Sequence, residues 1–163
     1  MSGPTILTQR TMPPREPVCA GRMLSHARSR RVGFSVPGLP VYAAWARRRM
    51  AGLLAEAWGE GSDVADATQV VAELFNNGCL HGGGRIRARA RISRYSMTLR
   101  VTTPAPWKET ADGREPGERE TGRGLEIARF FAESLRIAPD PHGLGTCVTV
   151  VCRSAHAHRQ GGE

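Results

Sequence analysis

Residues 70–84 read VVAELFNNGCLHGGG, an apolar stripe that stops at three consecutive glycines. Upstream the stripe takes in Val64, Ala67, Val71, Leu74, Phe75 and Gly78, the three- and four-residue steps of a helix with one buried face. Ser62 or Asp63 can cap its start, and the spacing predicts a helix running to about His81. Glu73, Asn77 and His81 stand four residues apart and form a row off that stripe, because each such step drifts only about 40° around the helix. As residue types alone, the row is either a solvated helix face or a carboxylate able to take a proton beside an amide oxygen able to hold Mg²⁺.

The flanks complete a domain around this helix. RVGFSV, residues 31–36, reads as a strand closed by Pro37 and Gly38. Val41 to Trp58 carries Ala44, Trp45, Met50, Leu53, Leu54 and Trp58 near helical spacing and is broken by Gly59 and Gly61. After Gly82–Gly84, the segments Arg85 to Ile92 and Met97 to Thr102 alternate as a β-hairpin. Residues 104–121, rich in proline, glycine and charge, make a loop long enough to act as a lid. A third helix is expected from about Arg123 to Leu135, then strands at Leu135 to Ala138 and Thr146 to Cys152. The order predicts an α+β two-layer sandwich, a mixed and mainly antiparallel sheet covered on one face by helices. Residues 1–30 read as a flexible, Pro-containing basic arm, 31–153 as the domain and 154–163 as an unstructured tail.

Composition excludes several classes of function. In 163 residues with a formal charge of +8, Lys108 is the only lysine. It follows Pro106 and Trp107 in the polar loop, so neither a Walker A loop nor the strand lysine of a eukaryotic-type protein kinase is present. No run approaches the roughly 20 apolar residues of a membrane helix, so the expectation is a cytoplasmic protein without a membrane partner. Cys19, Cys79, Cys147 and Cys152 show no CxxC spacing, and the last two, five apart on one strand, should face opposite sides. Neither Cys79 with His81 nor His156 with His158 finds a second ligand pair for zinc. The basic charge comes with no helix-turn-helix and no aromatic-basic stacking pattern, so nucleic acid is not expected as a partner.

A second motif, Gly122, Arg123, Gly124 and Leu125, opens the third helix after the long loop. Glycines there let backbone N–H groups approach a phosphate, which the positive end of the helix dipole favours. A dinucleotide-binding reading fails, because Ile127 stands at the third glycine position and a polar loop precedes the motif in place of a strand.

Together these residues resemble the ATP-binding proteins related to bacterial anti-sigma-factor serine/threonine kinases, members of the GHKL superfamily of histidine-kinase-like ATPases. FSVPGLP, VVAELFNNGCLHGGG as N box, ETGRGLEIARFFAESL as glycine box and GLGTCVTV follow in that family's order across residues 34–151. The resemblance implies a Bergerat-type ATP-binding fold, with ATP and Mg²⁺ as cofactors. Glu73 would be the catalytic base and Asn77 the Mg²⁺ ligand. His81, Gly122, Arg123, Gly124 and Leu125 would lie around the phosphates, and Thr146 beside the adenine. Where the family places an adenine-reading aspartate this chain has Thr103. The implied function is phosphorylation of a small STAS-type antagonist and sequestration of a sigma factor, in a family that often dimerises. The alternative is a non-catalytic partner-binding module with a degraded nucleotide site.

Overall fold

The computed structural model describes residues 29–106, 119–143 and 145–158; most of the expected N-terminal arm and most of the expected lid lie outside these residues. The elements are β1 (Arg30–Pro37), α1 (Pro40–Trp58), α2 (Ser62–His81), β2 (Arg85–Ile92), β3 (Ser96–Thr103), α3 (Arg119–Phe131), β4 (Ser134–Pro139), β5 (Thr146–Arg153) and α4 (Ala155–His158). The five strands form one sheet in the order β1-β2-β3-β5-β4. Every pairing is antiparallel, so the sheet is not mixed. The connections explain why. Two helices, α1 and α2, return the chain to the end of the sheet it left, which makes β2 antiparallel to β1. The single helix α3 would set β4 parallel to β3, but β5 inserts between them and runs against both.

Strand alternation puts the core on one face only. Along β2, Ile86, Ala88, Ala90 and Ile92 are buried, while Arg85, Arg87, Arg89 and Arg91 are exposed. The buried row meets Met50 and Leu54 of α1, Val70, Val71 and Phe75 of α2 and Ala128 of α3 in one cluster. Phe34 of β1 locks the layers together, stacking on Phe75 at 5.7 Å and meeting Trp45 edge-on at 5.0 Å between ring centroids. Cys147 and Cys152 do face opposite sides: Cys152 joins the core, and Cys147 lies 3.7 Å from the Arg100 guanidinium on the open face. Among the described residues, no helix is long and apolar enough to cross a membrane.

Three local expectations need correction. Helix α2 is preceded by Gly61 with no side-chain cap, because Asp63 already lies inside the first turn: its Oδ1 accepts the Val64 N–H at 3.1 Å and its Oδ2 the Ala155 N–H at 2.7 Å. The latter bond belongs to the second correction. Ser154 is fully buried with its hydroxyl donating to the Arg94 carbonyl, and His156 Nε2 lies 3.1 Å from the Trp58 carbonyl, so residues 154–158 are tied down where an unstructured tail is expected. Third, α3 begins at Arg119, not Arg123, and ends at Phe131, since the Glu133 N–H already donates to the Val151 carbonyl and starts the next strand.

Candidate functional site

The first two residues of the row expected on α2 do not face open solvent. Glu73 and Asn77 are half-buried because α3 crosses them, and Gly124 is the residue of closest approach. A Cβ at Gly124 would stand 2.7 Å from Glu73 Oε2 and 3.3 and 3.4 Å from Asn77 Nδ2 and Oδ1, so only glycine lets the two helices meet there undisturbed. One turn earlier Gln69 Nε2 donates to Glu73 Oε1 at 2.5 Å, which orients the carboxylate. Asn77 Nδ2 is buried and has no hydrogen-bond partner. An orphaned buried donor costs about 1–3 kcal/mol, so this position holds a binding capacity that the described residues leave unused.

A second cluster continues from the first along α2. Gly78, directly after Asn77, and Gly82 present bare backbone to the Thr103 side chain at the end of β3. A Cβ on Gly82 would come within 2.8 Å of Thr103 Cγ2 and 2.3 Å of the Gly78 carbonyl oxygen, and one on Gly78 within 3.4 Å of Thr103 Cγ2. Thr146 pairs with Thr103 across β3 and β5, is buried, and donates its hydroxyl to the Ala105 carbonyl at 2.8 Å. Gly145 passes so close to the Thr103 carbonyl that a Cβ would lie 1.9 Å from its oxygen. The result is a strip of α2 two rows wide: Glu73 and Asn77 face α3, and Gly78 and Gly82, about 100° further round the helix, face the threonine end of β3 and β5.

Of the residues named from sequence, the structure therefore brings together Glu73, Asn77 and Gly124, and separately Thr103 and Thr146 with the end of α2. His81 is exposed at the last residue of α2, with no hydrogen bond to the others among the described residues. Leu125 is packed against the core. Gly122 and Arg123 lie inside α3 and not at its start, so they do not form the helix N-terminus expected of them; the Arg123 side chain is outside the described residues. Sequence reasoning missed Gln69, whose signal was its place four residues before Glu73, and Gly78, Gly82 and Gly145, glycines where neighbouring chain segments touch.

The strip suits a phosphate group with a cation. A phosphate oxygen would accept from the orphaned Asn77 Nδ2, leaving Oδ1 as a hard oxygen ligand of the kind Mg²⁺ takes.

Residues 36–152 match the histidine kinase-like ATPase domain family. Among solved structures, the chain is similar to the RsbU and RsbW domains of Rv1364c from Mycobacterium tuberculosis, at 21% identity and a TM-score of 0.58. That similarity covers 76% of this chain and 32% of the other, so the chain spans about a third of that neighbour's length. No curated protein matches the chain in sequence.

Proposed function

The chain belongs to the histidine kinase-like ATPase domain family, and on that premise we propose that it binds ATP with Mg²⁺ along the α2 strip and transfers a phosphoryl group to a serine or threonine of a small antagonist protein. The observation that carries this reading is the meeting of Glu73, Asn77 and Gly124 across α2 and α3. The kinase assignment, the antagonist and the sigma factor behind it extend the family resemblance; the Rv1364c structure, which comprises RsbU and RsbW domains, supports the fold they share.

Bound ATP would supply the transferable phosphoryl group and Mg²⁺ the charge neutralisation that such a transfer needs. Asn77 would hold both, through its two amide atoms. Glu73, oriented by Gln69, would accept the proton of the attacking hydroxyl. Gly124 lets α3 pack directly on both side chains and fix their place, which is a positioning role. Thr103 and Thr146 would meet the adenine end. His81 and Arg123 would lie towards the phosphates.

A second reading is favoured by Thr103. Its methyl group lies over Gly78 and Gly82, where the family carries a charged acceptor for the adenine amino group, and losing such a bond costs about 1.5–3 kcal/mol. A partner-binding module that has given up the nucleotide would tolerate that. Calorimetric titration of the full chain with ATP, with and without Mg²⁺, separates the two. Mg²⁺-dependent binding that disappears in Asn77→Ala supports the ATP site, whereas the same affinity in variant and parent would remove Asn77 as the ligand. No binding by the parent supports the second reading.

A further inference from the structure

The open face of the sheet, on the opposite side from the helices and the α2 strip, carries an unusual charge distribution. None of the five strands contains an aspartate or a glutamate. Their outward positions instead hold exposed arginines on every strand, separated by glycine, serine, threonine and other small residues. Cross-strand register brings like charges together: Arg31 stands opposite Arg91, and Arg89 opposite Arg100. Arg136 faces Thr149 in the same lateral row, across which strands are spaced by about 4.8 Å. Like charges directly opposed on a sheet are destabilising. Among the described residues, Arg31, Arg89, Arg91, Arg100 and Arg136 have no carboxylate partner that would relieve them.

We propose that this arginine face docks an acidic surface of a protein partner, leaving the α2 strip uncovered. Two arginines of the sheet show the chemistry in place. Arg153 grips Glu133 with Nε and one terminal nitrogen on both carboxylate oxygens, at 2.6 and 2.9 Å, and Arg87 reaches the buried Asp140 at 3.3 Å. The arginines without a carboxylate partner offer the same fork, which fits carboxylates in a bidentate way. A second copy of the chain is a poor occupant, because the two faces would repel. Nucleic acid fits less well than an acidic protein. The outward strand positions hold no aromatic side chain for base stacking, and the described residues place no helix on this face to enter a groove. The inference goes beyond the nucleotide reading and needs no bound nucleotide.

The test uses the full chain without nucleotide and two fluorescent probes of equal charge, poly-L-glutamate of about 20 residues and a random-sequence DNA duplex. The parent should bind polyglutamate at low salt more tightly than the duplex. Arg89→Glu, Arg100→Glu and Arg136→Glu together should weaken polyglutamate binding about ten- to a hundredfold, as three reversed surface charges allow. Because the fold could suffer from three changes, a milder variant accompanies them. Arg89→Thr should weaken binding severalfold yet raise the melting temperature, since it removes a like-charge pair and adds a good strand former. No polyglutamate binding by the parent, tighter binding of the duplex, or equal binding by parent and triple variant would each overturn the proposal. Melting of Arg89→Thr below the parent would remove the argument that these charges are held against stability.

Discussion

Replacing Gly124 by alanine sets two effects of similar size against each other, and the structure says how they divide. In a helix interior, glycine to alanine ordinarily stabilises by about 0.5–1 kcal/mol. Here the new Cβ would lie 2.7 Å from Glu73 Oε2. The flexible carboxylate is the part that can yield. Turning it away costs about 0.5–1.5 kcal/mol if it leaves its rotamer, and about 1 kcal/mol if the bond from Gln69 is lost. Net stability should therefore stay within about 1 kcal/mol of the parent, a few degrees in melting temperature. The site fares differently, because the methyl group also presses on both amide atoms of Asn77, at 3.3 and 3.4 Å. ATP affinity in the presence of Mg²⁺ should fall about tenfold or more, corresponding to about 1.4 kcal/mol or above. Gly52→Ala is the internal control: nothing lies within 4 Å of a Cβ there, so it should gain the full helix term and bind ATP as the parent does. Calorimetric titration and thermal melting of the three proteins test both halves. Undiminished ATP affinity in Gly124→Ala would refute the reasoning, since the contact that defines the site would then be without consequence.

Other outcomes follow from the same geometry. Glu73→Gln should keep ATP binding and lose phosphoryl transfer, because the amide preserves shape and bonding length but cannot take a proton; transfer at the parent rate in a radiolabel assay excludes Glu73 as the base. Thr103→Asp should tighten ATP about tenfold and leave GTP unimproved, since a carboxylate accepts from the adenine amino group and opposes the guanine carbonyl; equal gains for both nucleotides in calorimetry would withdraw the adenine role. Burial, with a smaller push from the Asp66 charge, raises the Cys152 thiol to about 12. A raised folded-state pKa means that the thiol's contribution to stability is present below the ordinary value of 9.0 and is lost as pH climbs from there towards 12, because the unfolded thiol ionises first. Denaturant midpoints of the parent should thus fall more steeply than those of Cys152→Ala between pH 8 and about 10.5, and parallel curves would contradict the burial argument.

The apolar periodicity of residues 64–78, the alternation in β2 and β3 and the glycines between them were enough to place three helices and five strands in order, because burial of one face is a local pattern repeated along each element. Glu73 and Asn77 were legible as a row for the same reason. That the row faces another helix was not, because a row at four-residue spacing is the same whether water or α3 lies over it. The glycine motif was visible too, but its use differs from the expected one. Spacing placed Gly124 near a helix start, and only the packing of α3 on α2 makes it the point where a side chain would strike Glu73. The outward arginines of the strands were countable in the sequence and were scattered there between residues 31 and 153. Cross-strand register is a long-range property, decided by which strands neighbour each other. It alone gathers those charges into one face with Arg89 set against Arg100, on the side of the sheet that no helix covers.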